Sequence, residues 1–197
     1  KPVEEPAAAL SADTAPTDDP LIGLQWHLAP TDEIAGAANV ETLWGDEGIP
    51  GRPWQGKEEV VVAVVDTGVD YTNPDLKDVM WENPGNIGLE GEHGYDYGMG
   101  DDDPMDNDGH GTHVAGIVAA SVNNGKGVAG VAPNAKIMAL RVANESGGFL
   151  TSAVLGAYSY MKKAAQARVN LVAANNSWMG AGESPLLTEV MDDLYRS

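Results

Sequence analysis

The sequence has no cysteine, a single phenylalanine and only 11 lysines and arginines in 197 residues. Without cysteine there is no disulfide, no thiolate nucleophile and no Cys-ligated zinc, while the redox compartment stays open. The 11 bases face 30 acids, giving a net charge of −19, and that field repels a phosphate backbone and disfavours charge-driven nucleic-acid binding. No apolar run approaches the ~20 residues that a membrane span needs. Position 1 is Lys rather than Met and no signal peptide is visible, so the piece is expected to be internal to a longer protein. What is present, 43% apolar residues at one domain's length, suffices to bury roughly 70% of the unfolded surface.

Residues 1–19 carry three prolines, five acids and few large apolar groups, which predicts a solvated acidic tail or linker ahead of a domain over 20–197. Order is expected to begin at Leu21, Ile22, Leu24, Trp26 and Leu28, with a short helix near Gly36 to Trp44. Val60 to Val65 is a β-branched run without alternation, as strands buried on both faces are. Ile137 to Val142 and Val169 to Ala174 are weaker versions. Between them Leu150, Val154, Leu155, Tyr158, Met161 and Ala165 share a helical face, with Thr151 or Ser152 as cap. Thr112 to Val122 reads as a buried helix. Ser184-Pro185 opens another, striped by Leu187, Val190, Met191 and Leu194. No internal repeat is found. Alternating strands and helices predict a layered α/β sheet whose chemistry gathers at the carboxyl ends of its strands.

That rule points to Asp66, which ends the strongest strand ahead of Thr67-Gly68; the alternative is a solvated turn. It also directs attention to His110-Gly111-Thr112-His113-Val114-Ala115-Gly116, where an imidazole flanked by glycines opens a helix. Neutral imidazole with a carboxylate behind it can activate a hydroxyl. Metal binding through Asp66, Asp70, His110 and His113 competes, but the H-E-x-x-H spacing is absent. His113 is expected to be buried and hydrogen-bonded, and His27 and His93 to be structural. Gly125 to Gly130 fits G-x-G-x-x-G, yet it follows a helix and precedes a strand, the reverse of a dinucleotide site. Asp106-Asn107-Asp108-Gly109 fails as a helix-loop-helix calcium loop, because Pro104 and Ala115 fall where ligands belong. The run Glu92 to Asp108 holds seven carboxylates and no Lys or Arg, as a solvated loop, a cation site or a surface for basic substrate segments would.

Taken together, Asp66-Thr67-Gly68-Val69-Asp70 and His110 to Gly116 resemble the subtilisin-like serine peptidases, the subtilases. Asn73-Pro74-Asp75-Leu76, Asn107-Asp108-Gly109, Gly127 to Pro133 and Asn175-Asn176-Ser177-Trp178 are similar too. The resemblance implies a three-layer α/β/α fold with a mostly parallel central sheet, truncated before the family's C-terminal strands. It implies an Asp–His–Ser triad in which Asp66 orients His110 and His110 relays the proton of a serine nucleophile. Gly147-Gly148-Phe149 and Ser177-Trp178-Met179-Gly180 match the segments that bind an extended polypeptide substrate, through Gly147, Gly148, Ser177, Trp178 and Gly180. Met179 stands where the family usually has Gly, either narrowing the first pocket or pointing outward. Gln25, Asp75, Asn123 and Asn124 match ligands of a structural calcium site, in a loop one residue longer than the common form. The resemblance also implies a secreted or extracellular setting and a pro-segment as partner.

None of the serines at positions 11, 121, 146, 152, 159, 177, 184 and 197 lies in a Gly-Thr-Ser-x-Ala context. The nucleophile and the later oxyanion Asn are therefore expected beyond Ser197, and the 197 residues alone are expected to be inactive. The alternative is a subtilase-like protein without a nucleophile that binds peptides or inhibits.

Overall fold

The structure, a computed structural model, describes residues 17–44, 60–179 and 184–196. Among them a four-stranded, wholly parallel sheet runs in the order β2-β3-β1-β4. Its strands are β1 (Val61–Asp66), β2 (Gly94–Asp96), β3 (Lys136–Arg141) and β4 (Leu171–Asn175). The helices are α1 (Val40–Trp44), α2 (His110–Ala119), α3 (Thr151–Gln166) and α4 (Pro185–Tyr195).

Residue alternation along the central strands builds the layers. Val61, Ala63 and Val65 of β1, with Met138 and Leu140 of β3, face α3 through Val154, Ala157, Tyr158 and Met161. Val64, Ile137 and Ala139 point the other way, onto Val114, Ala115 and Ala119 of α2. A strand that buries both faces needs no polar alternation, which is why the valine run reads as it does. The expected α/β/α layering is observed, with α4 adding Leu187, Val190 and Leu194 to the α3 side.

Ser184 caps α4 as expected, its hydroxyl accepting from Leu187 N, but Met191 of the predicted stripe is exposed. At α3 the cap position falls on Leu150, with no side-chain cap. The chain arrives there extended from the Ala143–Phe149 bridge, so Thr151 is already helical. The short β2 had no sequence signal. Gly94 carries φ +141, and a Cβ there would meet Ala139 O at 1.7 Å, so glycine alone fits against β3.

Residues 1–16 of the expected tail lie outside the described residues. Thr17 and Asp19 are buried, so packing starts ahead of Leu21. Of the predicted opening cluster, Ile22 and Leu28 join Val40, Trp44 and Ala129 in a small core, whereas Leu21, Leu24 and Trp26 are exposed.

Candidate active site

β1 delivers Asp66 to the carboxyl edge of the sheet, where its side chain is fully buried. Asp66 Oδ1 accepts from Thr67 N at 2.7 Å and lies 2.7 Å from His110 Nδ1. Asp66 Oδ2 is buried with no hydrogen-bond partner among the described residues. His110 is the first residue of α2, with Gly109 (φ +103) as its left-handed cap and 47% of its side chain exposed. A carboxylate can only accept, so Nδ1 is assigned the proton and Nε2 keeps the lone pair. The hydrogen bond to Asp66 pushes the His110 pKa above its ordinary value; partial burial opposes this, and the charges of Asp66, Asp108 and Asp106 add to the rise.

Close packing of α2 on the strand end makes this contact possible. A Cβ on Gly111 would meet Gly68 O at 2.1 Å and Asp66 Cβ at 3.1 Å, so glycine is required there. Thr67 Oγ1 accepts from Gly111 N and donates to Asp106 Oδ1, locking strand end, helix start and preceding loop together. Thr67, Asp106 and Thr112 were not singled out from the sequence. An acid just ahead of a helix start is nevertheless a capping signal, and Asp106 was hidden by the acids around it. Within that run Asp96 is also structural: it is buried and pairs with Arg141 Nε at 3.3 Å.

The competing metal constellation does not assemble. Asp70 Oδ1 turns back onto Thr72 N and Oγ1. His113 is exposed rather than buried as expected, because its position on α2 faces away from the sheet. Among the described residues no three His, Asp or Glu side chains converge as metal ligands. His93 is structural as expected, with Nδ1 3.0 Å from Trp81 O.

Beside the dyad lies a cleft of about 270 Å³ whose walls include Thr67, Asp108, Asn144 and Gly147. Gly147 (φ +74) and Gly148 sit in a turn held by Asn144, whose Oδ1 accepts from Gly148 N. Trp178 donates Nε1–H to Val65 O at 2.9 Å and stacks on Phe149 with ring centroids 5.7 Å apart, bringing the two expected substrate segments together. Ser177 Oγ donates to Asn175 Oδ1. Met179 is 95% exposed, which is the outward orientation. Gly180 lies outside the described residues.

The four expected calcium ligands gather around the 123–128 loop. Gln25 clamps Ala129, its Nε2 donating to the carbonyl and its Oε1 accepting from the amide. Asp75 accepts from Asn124 Nδ2 and Val128 N, and Asn123 Oδ1 accepts from Asp18 N. Asp19, which the sequence did not flag, accepts from the amides of Asn123 and Asn124. Asp19 and Asp75 are thus two buried carboxylates, neither in an ion pair among the described residues, whose oxygens accept hydrogen bonds from this loop. Gly127 permits this crowding, since a Cβ there would meet Asp75 Oδ2 at 2.2 Å.

The arrangement is that of a parallel α/β protein with an imidazole–carboxylate dyad on its sheet edge. A sequence profile of the subtilase family matches residues 57–192, and the chain belongs to that family. It is 43% identical over 110 residues to the thermophilic serine proteinase of Bacillus sp. strain AK1, covering 56% of this chain and 25% of the relative. It is 32% identical over 167 residues to a subtilisin of Bacillus sp. strain TA39, covering 81% and 37%. A solved protease structure from Pseudoalteromonas arctica superposes with a TM-score of 0.68 at 29% identity, covering 91% of this chain and 56% of that one. The chain thus spans well under half of the length of these curated relatives.

Proposed function

We propose that this chain supplies the acid and base of a serine endopeptidase site. The observation that carries the reading is the 2.7 Å contact between His110 Nδ1 and the buried Asp66. His110 Nε2 takes the proton of an attacking serine hydroxyl and returns it to the leaving amine. Asp66 fixes the tautomer and stabilises the imidazolium formed in between. The nucleophile of this reading is a serine beyond Ser197.

The substrate is a polypeptide in extended form, lying along the turn at Gly147-Gly148 and the strand end at Ser177-Trp178, with Gly180 following. The Phe149–Trp178 stack supports this, because it gives two peptide-binding edges one floor. Calcium is proposed at the 123–128 loop, held by Asp75, Gln25, Asn123, Asn124 and Asp19, where it would offset buried charge and stiffen the loop. A pro-segment as partner and an extracellular setting belong to the same reading.

The test compares a longer protein that contains this chain with the 197 residues alone. A peptide substrate should be hydrolysed by the former, sensitive to a serine-directed reagent, and lost in Asp66→Ala and His110→Ala. The 197 residues alone should show no turnover. Full activity of His110→Ala, or inhibitor-sensitive hydrolysis by the 197 residues, overturns the proposal.

A further inference from the structure

We infer that Asp106 is a positioning residue for the dyad, the group that fixes where His110 stands relative to Asp66. This rests on the reading above. Asp106 receives five hydrogen bonds: Thr67 Oγ1, Asp108 N and Gly109 N on Oδ1, and Thr112 N and Oγ1 on Oδ2. They come from the segments that carry the dyad, namely the residue after β1, the loop ahead of α2 and the first turn of α2.

The direction of each proton follows from the backbone. Gly111 N–H has Thr67 Oγ1 as its acceptor, and Asp70 N–H has Thr112 Oγ1. Each hydroxyl therefore accepts from an amide and can give its only proton to Asp106. All five partners are donors, so only an ionised carboxylate satisfies them. Burial disfavours that charge, but the hydrogen bonds from Thr112, Gly109 and Asp108 outweigh it and hold the Asp106 carboxyl below its usual value.

An isosteric amide cannot replace it. Asp106→Asn must turn its NH2 either against the amide and hydroxyl of Thr112 or against Thr67 and the amides of Asp108 and Gly109. Each choice leaves donors facing donors in a half-buried site, where an unmet polar group is expensive. The first turn of α2 then moves, and His110 is carried at its head. The charged groups facing His110 are Asp66 from β1 and Asp106 and Asp108 from the loop, so the same substitution also removes one of three negative neighbours.

The test reads His110 directly, which needs no nucleophile. Proton NMR of the chain follows the downfield Nδ1–H signal and the His110 titration midpoint in the unaltered chain, Asp66→Asn, Asp106→Asn and Thr67→Val, with circular dichroism reporting the fold. In the folded Asp106→Asn variant the signal should broaden or shift and the midpoint should fall. Thr67→Val, which removes one arm, should do the same to a smaller degree. In a longer, active protein Asp106→Asn should lower kcat by roughly ten- to hundredfold with little change in KM, as a misplaced catalytic group does. A merely structural Asp106 would lower the melting temperature and leave signal, midpoint and kcat of the folded protein alone. That result, or an undisturbed signal in Thr67→Val should Asp106→Asn fail to fold, overturns the inference. If the unaltered chain shows no Asp66-dependent signal, the dyad itself is wrong and the inference falls with it.

Discussion

Gly111→Ala and Gly116→Ala make the same chemical change on α2 with opposite expected signs. Helix propensity alone favours alanine by about 1 kcal/mol at an interior position. At Gly116 nothing lies within 4 Å of the added methyl, so propensity should prevail with a gain of roughly 0.5–1 kcal/mol. At Gly111 the methyl would stand 2.1 Å from Gly68 O and 3.1 Å from Asp66 Cβ. An ordinary contact needs more than an ångström of further separation, and the obstructing oxygen is backbone, so α2 must retreat from the strand end. Overpacking of this kind costs about 1–3 kcal/mol. Set against a propensity gain of about 1 kcal/mol, this leaves a net loss of up to about 2 kcal/mol, or a melting temperature lower by up to roughly 8 °C. The retreat also lengthens the His110–Asp66 bond, so the downfield His110 proton signal should weaken in Gly111→Ala and persist in Gly116→Ala. Thermal melts followed by circular dichroism, with NMR on the same samples, decide the matter. If Gly111→Ala melts at or above the parent with the His110 signal intact, the close approach of helix and strand has been misjudged.

The raised His110 pKa has two consequences of opposite direction. Its contribution to stability is complete below the unfolded value of ~6.5 and fades as pH rises through the higher folded value. The base-dependent rate of an active, longer protein should rise over that same interval, with Asp66→Asn moving the midpoint down in an NMR titration. Trp178→Phe keeps a ring on Phe149 but strands Val65 O, and should lose about 1 kcal/mol in urea unfolding. Trp178→Ala also loses the stack, a further ~0.5–1.5 kcal/mol; equal losses would mean the stack contributes nothing. A chelator should lower the melting temperature of the chain and leave that of Asp75→Ala unmoved, whereas a chelator-indifferent parent would remove calcium from the account.

The parts of this molecule that sequence reveals are those in which one residue type answers one local demand. A valine run must lie between two layers, and β1 does. Ser184-Pro185 must start a helix, and it does. Asp66 and His110 were recognisable because strand end and helix start are local features, although they lie far apart in sequence. Asp106 and Asp19 were not, because each is tied to a distant chain segment, Asp106 by the hydroxyl of Thr67 and Asp19 by the amide of Asn123. β2 escaped for a related reason: its three residues hold their place through contact with β3, not through any pattern of their own. His113 was misassigned because three residues along a helix turn a side chain to a different surface.

The sheet order carries a consequence for how the protein is made. Of the four described strands β1 leaves the ribosome first, yet its neighbours are β3 and β4, so Val61 waits for Lys136 and then for Leu171. At roughly 5–20 residues per second of synthesis, that wait lasts several seconds. Throughout it the stickiest segment of the chain has two unzipped edges and nothing to cover them. A nascent polypeptide stalled before β3 should therefore be a client of holding chaperones, and Asp66 gains its two flanking strands only once residues 136–175 have been synthesised.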